Sequence, residues 1–308
     1  MELIPPGQRI LNMVADGSIS SAEALKMLAK AHYRLPLERE REGAREALAE
    51  LEGLVGLQHV KALVRELCAF IEVQRMRREK GLAAEPLVLH MIFRGNPGTG
   101  KTTVARLLGK IFRGLGVLEK GHVVEVERAD LVGEYIGHTA QRTRECILRA
   151  KGGILFIDEA YSLARGGEKD FGKEAIDTLV KSMEDRKNDF VLILAGYLAE
   201  MEWFLKTNPG LRSRFPIQLD FPDYDHNELL SIAEQILEQR QYTLTPQARK
   251  LLSNLLKRPE HSNGNARTVR NLIERAIRRQ AVRLMSLDDI STDALQLLAA
   301  GDLEVEWQ

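Results

Sequence analysis

Apolar residues form five short runs in the middle of the chain, and these runs alternate with segments whose apolar residues recur at helical spacing. The helical segments include residues 102–112 and 173–186. This alternation predicts an α/β domain in which a parallel sheet is flanked by helices. The five predicted strands span residues 87–94, 121–126, 154–157, 189–196 and 217–221.

The pattern changes after residue 222, where helical segments follow one another without an intervening strand pattern. We therefore expect an α/β domain over residues 37–222, followed in the sequence by a small all-α domain over residues 223–308. The four helices predicted in the C-terminal part span residues 227–241, 245–257, 266–286 and 292–300.

The first 36 residues are predicted to form a short helical hairpin. Residues 9–15 are amphipathic, and Ser20 with Glu23 has the spacing of a capping box that opens a second helix. Two such helices bury little surface alone, so they must pack on something. A docking module and a prop for the following domain are equally supported. Residues 37–52 are dense in charge, which predicts a solvated helix or linker.

Composition narrows the class of protein. The 308 residues contain 44 Lys and Arg against 44 Asp and Glu, a net charge of +0, which argues against a nucleic-acid coat or a membrane-surface protein without excluding a local patch. Two cysteines, Cys68 and Cys146, indicate a reducing compartment, and burial is the expected role of each. No targeting segment or membrane-length apolar run is present, so we expect a cytoplasmic protein. The seven histidines lack metal-ligand spacing.

The glycine-rich segment between the first strand and its helix satisfies the phosphate-loop pattern G-x-x-x-x-G-K-[ST]. The glycines let backbone N–H groups turn towards a phosphate, and the helix adds the positive end of its dipole. Lys101 would reach the β- and γ-phosphates of ATP, and the Thr102 hydroxyl would bind Mg²⁺. A chance glycine turn explains this segment poorly. The predicted nucleotide-binding residues are Gly95, Asn96, Pro97, Gly98, Thr99, Gly100, Lys101, Thr102 and Thr103.

Two other segments carry candidate nucleotide-site residues. Val55 and Gly56 lie in a hydrophobic loop one helix before the phosphate loop, where they would cover the adenine ring or merely cap a helix. Asp158 and Glu159 follow a fully apolar strand, which puts both carboxylates at the sheet edge where open α/β sheets bind ligands. Asp158 would hold Mg²⁺, and Glu159 would polarise the attacking water.

Three more sites carry candidate residues, and the first two have two interpretations each. Tyr135 is an aromatic residue between glycines, either facing something other than its own core or packed in a turn. Arg212 and Arg214 are either surface ion-pair partners or fingers that reach the γ-phosphate of a neighbouring subunit. Arg267 stands in the first turn of a helix, a poor position for a cation, which suggests an anionic partner.

The order of phosphate loop, Asp-Glu strand end, paired arginines and helical lid with Arg267 resembles an AAA+ ATPase over about residues 54–298. Within that superfamily the segments GEYIGHTAQRTR, GGILFIDEAYSLARGGEKDFGKEAIDTLVKSMED, LILAGY and NPGLRSRFPIQLDFPDY resemble the group that holds stage V sporulation protein K and the red-type Rubisco activases. The run through GGEKDFGKEAIDTLVK is more similar to the sporulation protein.

The resemblance implies a phosphate-loop NTPase fold with Walker A and Walker B motifs, ATP hydrolysis with Mg²⁺, and a hexameric ring. It implies that Tyr135, Ile136 and Gly137 are a pore loop gripping a protein client, that Arg267 is the sensor-2 arginine, and that Arg212 or Arg214 is the finger. Tyr197 departs from the pattern, because many AAA+ proteins have a polar sensor-1 Asn or Thr there.

Three functional hypotheses follow. The first is an ATP-driven remodeller of a protein client, acting either in sporulation or as a Rubisco activase. The second is an ATP-switched binding scaffold. The third is a motor on nucleic acid, which the zero net charge and the lack of interleaved basic and aromatic residues disfavour.

Overall fold

The computed structural model describes residues 42–85, 88–135, 137–165, 171–186, 189–258, 264–287 and 289–304, with Met13, Ser18, Ser20 and Glu23 as single positions. The hairpin predicted over residues 1–36 and the predicted pore-loop residue Ile136 lie outside this part, apart from these single positions. The predicted capping box is present. The Glu23 N–H donates to Ser20 Oγ (3.2 Å), and the Ser20 N–H donates to the Glu23 carboxylate (3.0 Å).

Five parallel strands form the central sheet, in the order β2-β3-β4-β1-β5. Each coincides with a predicted strand, with ends that differ by a few residues at most in the described part. The pairing is parallel throughout, so the carboxyl ends of all five strands lie at one edge. The strands are β1 (Met91–Gly95), β2 (Val123–Val126), β3 (Ile154–Ile157), β4 (Val191–Gly196) and β5 (Ile217–Phe221).

Helices cover both faces of this sheet. Residues 42–53 form α1, and a five-residue 3₁₀ helix (Ala160–Ala164) follows β3. The other helices are α2 (Gln58–Glu79), α3 (Lys101–Gly114), α4 (Arg128–Leu131), α5 (His138–Arg149), α6 (Gly172–Asp185), α7 (Leu198–Thr207) and α8 (Pro209–Arg212).

Burial of both sheet faces explains why the strands are continuously apolar rather than alternating. Along β1, Met91 and Phe93 point into the core beneath α2 and α3, whereas Ile92 points into the core beneath α5, α6 and α7. All three side chains are fully buried. The sheet is therefore the middle layer of an α/β/α sandwich, and only its edges are available for a site.

The charged segment before the sheet is more than a solvated linker. Its helix α1 buries Ala44, Ala47 and Leu51. The Lys61 side chain is also buried, and its ammonium donates to the carbonyls of Glu52 (2.9 Å) and Leu54 (2.5 Å) at the end of α1. The predicted helix is present, but its thin apolar stripe is buried, so the expectation of a solvated helix or linker is wrong for this part.

The C-terminal domain is helical with its own core, but it also contains one element that the pattern did not show. Two strands of two residues each, β6 (Thr243–Leu244) and β7 (Leu297–Leu298), pair in parallel. Such short strands leave no alternation to detect, so the expectation of no strands after residue 222 is wrong. The helices are α9 (His226–Gln239), α10 (Pro246–Leu256), α11 (Asn265–Leu284), α12 (Thr292–Gln296) and α13 (Ala300–Leu303).

The cysteines behave largely as predicted. Cys146 is buried, Cys68 is half-buried, and both are free thiols. Burial raises the pKa of Cys68 to about 11, so this thiol stays protonated and unreactive near neutral pH. Among the described residues, no helix combines the length and apolar character needed to cross a membrane.

His90 lies immediately before β1 and is buried between aromatic rings. Its Nδ1 accepts a hydrogen bond from the Leu192 N–H (3.0 Å), and its ring lies 5.9 Å from that of Phe190 and 6.2 Å from that of Phe215. Burial lowers the pKa of His90 to about 4. The native state therefore needs the neutral ring, because protonation would both charge a buried group and compete with the hydrogen bond to Leu192.

We expect His90 to make the protein acid-sensitive. Its folded pKa lies below the unfolded value, so its stabilisation is complete above about pH 6.5 and is lost as the pH falls towards 4. Between pH 7 and pH 5 this loss is about 2 kcal/mol of the free energy of unfolding. The substitution H90N keeps an acceptor without a titrating ring and should flatten that pH dependence, as measured by urea denaturation at both pH values. H59N, at an exposed histidine, is the control. An undiminished pH dependence in H90N would contradict this assignment.

Candidate functional site

The phosphate-loop segment connects β1 to α3 at the carboxyl edge of the sheet. Gly98 and Gly100 have left-handed φ angles of 75° and 100°, which residues with a side chain rarely adopt. The Thr99 hydroxyl donates to the Asn96 carbonyl (2.8 Å) and fixes the turn. Lys101 begins α3, so Thr102 and Thr103 lie in its first turn, beside the positive end of the helix.

The Lys101 ammonium is held against the loop itself. It donates to the carbonyls of Gly95 and Asn96, at 2.8 Å each. Burial lowers the pKa of Lys101 and Arg267 acts in the same direction, whereas Asp158 and Asp223 oppose them. The lysine therefore lies within electrostatic reach of both carboxylates, as a site for a polyphosphate and a cation requires.

Asp158 and Glu159 directly follow β3. Asp158 is anchored by its backbone N–H, which donates to the Val126 carbonyl (3.0 Å), and its carboxylate accepts the Glu159 N–H (2.9 Å). Glu159 is exposed and has a left-handed φ of 46°. Such strain in a residue with a side chain is often found at functional sites. It turns Glu159 out of the strand direction at the edge that carries the phosphate loop.

The loop before α2 packs between the phosphate loop and the lid. Gly56 is in contact with the side chains of Glu228 and Tyr224, so a Cβ there would meet the Glu228 carboxylate. The Gln235 amide in α9 donates to the Gly53 carbonyl (3.0 Å). Val55 is half-buried in the same loop. The predicted position of Val55 and Gly56 near the nucleotide site is compatible with these contacts, and the role of a base cover stays a prediction.

Arg267 lies in the first turn of α11, directly beside the phosphate loop. A Cβ at Gly98 would lie 3.2 Å from the Arg267 Cβ and 2.9 Å from its backbone nitrogen. The Ala266 N–H donates to the Gly98 carbonyl (3.2 Å). The structure thus brings Arg267, Lys101 and Asp158 to one site, although they are far apart in sequence.

Arg212 and Arg214 are not part of that site. They precede β5, and Ile217 pairs with Met91 while Phe221 pairs with Gly95. The arginines are therefore near the amino end of the strands, roughly 16 Å from the phosphate loop along the sheet. Arg214 Nε donates to Glu184 (3.1 Å) and its Nη1 to the Gly210 carbonyl (2.6 Å), whereas Arg212 is exposed.

The remaining predicted residues lie on a loop before α5. Tyr135 is 66% exposed, and its ring meets that of His138 edge-on at 5.5 Å. Gly137 has a φ of 83° and caps α5. Tyr135 is thus largely exposed, and the prediction that it faces something other than its own core stays a prediction. Tyr197 is half-buried, with its ring 5.9 Å from that of Tyr161.

Sequence reasoning missed three residues at this site. Asp223, Tyr224 and Asn265 bind the loop from the lid side. The segment DFPDY before the lid helices and the dipeptide Asn-Ala before Arg267 were the available signals. Neither has a spacing that indicates chemistry by itself.

The donors near the loop suit a magnesium ion completed by phosphate oxygens. The Thr102 hydroxyl and the Asp158 carboxylate are hard oxygen ligands, which Mg²⁺ prefers in small numbers beside phosphate and water. In the part of the chain that the structure describes, no three His, Cys, Asp or Glu residues are grouped to hold a metal alone.

Comparisons with known proteins agree with this architecture. The family described as ATPase family associated with various cellular activities (AAA) matches residues 91–223, and the AAA lid domain matches residues 225–308. Stage V sporulation protein K of Bacillus subtilis is 49% identical over 96% of this chain and 94% of its own. The chloroplastic ribulose bisphosphate carboxylase/oxygenase activase of Cyanidioschyzon merolae is 48% identical over 76% of this chain and 80% of its own.

Solved structures show the same fold at lower similarity. A RuvB mutant of Thermotoga maritima superposes with a TM-score of 0.50 at 22% identity, over 80% of this chain and 69% of that one. The fold, the two family matches and the two relatives are in agreement. The chain belongs to the AAA ATPases, within the group that includes stage V sporulation protein K and the Rubisco activases.

Proposed function

We propose that this AAA ATPase is a cytoplasmic ring motor that uses Mg²⁺ and ATP to remodel a protein client. The observation that carries the proposal is the separation of two half-sites on one chain. Lys101, Asp158 and Glu159 lie at one sheet edge, and the paired arginines lie at the other. A subunit with this arrangement has a complete hydrolytic site only when a neighbouring copy adds an arginine.

Within one subunit, the loop from Gly95 to Thr102 binds the ATP phosphates through backbone N–H groups and the Lys101 ammonium. Thr102 and Asp158 hold Mg²⁺, which neutralises charge that develops on the phosphates. Val55 and Gly56 cover the adenine. Arg267 approaches the phosphates from the lid, so nucleotide contacts both domains.

Glu159 orients the attacking water and polarises it as a general base. Its exposed carboxylate is displaced from the strand by the left-handed backbone, next to Asp158. General base catalysis contributes about 10²–10⁴ in rate. The finger, Arg214 or Arg212, adds on the order of 10³–10⁵ from the next subunit.

The ring is proposed to be a homohexamer, since that is the expectation for relatives of this kind, and its lid packs on the adjacent subunit. Tyr135 would then project into the central pore together with Ile136 and Gly137, and hydrolysis would move the loop and pull the client. The large exposure of Tyr135 supports this role, because an aromatic side chain in water gains by contacting a partner.

The client is proposed to be a protein of the sporulation stage. Support comes from the match to the sporulation protein, which extends over nearly the whole chain, whereas the match to the activase spans about three quarters of it. Rubisco is the alternative client, because the identity to the activase is almost equal. An ATP-switched scaffold is the remaining alternative, and the filled catalytic positions argue against it. Nucleic acid and membrane are not proposed as partners.

Glu159 gives the most direct test of the hydrolytic site. The substitution E159Q removes the base but keeps the size and the neighbouring Asp158, so ATP turnover should fall by roughly 10² or more while ATP binding persists. Steady-state turnover and the equilibrium binding of ATP to the purified full chain measure the two effects. E202Q, at an exposed glutamate of helix α7, is the matched control. Unchanged turnover in E159Q would exclude Glu159 as the base.

The two arginines can be distinguished by mixing subunits. If Arg214 is the finger, R214A and E159Q should each be inactive alone, and mixing them should restore part of the ATPase activity. Some sites in the mixed ring then combine an intact Glu159 with an intact Arg214 of a neighbour. The same experiment with R212A shows which arginine acts. If mass measurement shows that the subunits have mixed and neither mixture regains ATPase activity, the proposal of an active site shared between neighbouring subunits would be wrong.

Tyr135 is tested by capturing its partner. A photocrosslinker placed at position 135 of E159Q, which should bind ATP and hydrolyse it slowly, is expected to attach to one client protein. The companion variant Y135A should keep ATPase activity within about threefold and lose client remodelling. Cross-links only between copies of this chain would instead favour the scaffold alternative.

A further inference from the structure

The outer face of the phosphate loop is bound by the lid and by the segment that leads to it. Three consecutive loop carbonyls accept hydrogen bonds there. Pro97 accepts from the Asn265 side-chain amide (3.3 Å), Gly98 from the Ala266 N–H (3.2 Å), and Thr99 from the Tyr224 hydroxyl (3.2 Å). The lid therefore contacts the main chain of the loop and not only the sheet beneath it.

Asn265 is the centre of these contacts. Its side chain is completely buried, and its φ of 50° is left-handed, a conformation that Asn tolerates better than most residues. Besides the bond to Pro97, its amide donates to Asp223 Oδ1 (2.8 Å), and its Oδ1 accepts the Tyr224 N–H (2.9 Å). These three hydrogen bonds hold the buried side-chain amide of Asn265 in a single orientation.

Asp223 extends the connection to the start of the loop. Both of its carboxylate oxygens lie 2.9 Å from the Asn96 side-chain amide, and one of them also accepts from Asn265. Asp223 follows β5 within two residues, where the chain passes from the sheet to the lid. One carboxylate thus joins the loop and the lid at the hinge between them.

We infer that Asn265 and Asp223 are positioning residues that couple the phosphate loop to the lid and so set the place of Arg267 against the nucleotide. Arg267 is two residues beyond Asn265, on the helix whose first turn is bonded to Gly98. A change in the direction of the loop carbonyls is then transmitted to the lid helix. This inference rests on the proposed ATPase function, which supplies the nucleotide that Arg267 contacts.

The first test needs no turnover. N265G keeps the left-handed backbone and removes only the amide side chain. In hydrogen exchange of the full chain, the amides of Tyr224 and Ala266 should exchange at least about tenfold faster in N265G, while those of β3 are unchanged. Unchanged exchange at both amides would overturn the coupling.

The second test separates a positioning role from a merely structural one. In the unmodified chain, R267A should lower kcat/KM for ATP by roughly tenfold or more, and in N265G the same substitution should lower it by less than about twofold. If Asn265 only supports folding, R267A would cost the same factor in both backgrounds, and the inference would be wrong. Thermal denaturation of each variant checks that the fold is retained.

A paired exchange of the two side chains provides the rescue. N265D puts two carboxylates in contact and should impair both exchange protection and turnover. Adding D223N restores one donor and one acceptor between the positions but not the donor to the Pro97 carbonyl, so the double variant should recover part of what N265D loses. A double variant no better than N265D would also count against the coupling. If the unmodified chain hydrolyses no ATP, the proposed function fails, and the exchange measurements still decide whether the loop and lid are joined.

Discussion

The polarity of the phosphate-loop backbone governs the rest of the site. A loop that turns its N–H groups towards a phosphate turns its carbonyls outwards, and each of these needs a partner. Five consecutive carbonyls, from Gly95 to Thr99, all have one: Lys101 binds the first two, and Asn265, Ala266 and Tyr224 bind the other three. The lid and the segment that leads to it thus satisfy three of these five carbonyls. A nucleotide site and a hinge between domains therefore arise from one constraint.

The parallel sheet determines which of the candidate residues lie near the phosphate loop and which lie far from it. It aligns the carboxyl ends of β1 and β3, which brings Lys101 and Asp158 together, and it puts the segment before β5 at the opposite edge. An intramolecular contact between Arg214 and the loop is thereby excluded by strand length alone. In the motor proposed above, a neighbouring copy supplies the missing arginine, so oligomeric state and catalysis are linked in that proposal.

Much of this fold was predictable, for physical reasons that differ between elements. Strands buried on both faces are continuously apolar, and helices on the sheet are amphipathic, so β1 and α3 were evident from the pattern. The strands Thr243–Leu244 and Leu297–Leu298 were not, because two residues carry no period. The phosphate loop was found because its chemistry needs fixed residue types at fixed spacing. Asn265 and Asp223 escaped detection, because their partners are backbone groups and amides brought together only by folding.

Because the lid binds main-chain carbonyls of the loop, the two sides of this contact differ in the amino-acid substitutions that they tolerate. A carbonyl at position 97 is supplied by any residue, so the lid contact there does not restrict which side chain the loop carries. Position 265 has no such freedom, since its bonds are made by the side-chain amide itself. Among descendants of this chain, the two sides of the same contact would therefore evolve at unequal rates, with the lid side the slower of the two.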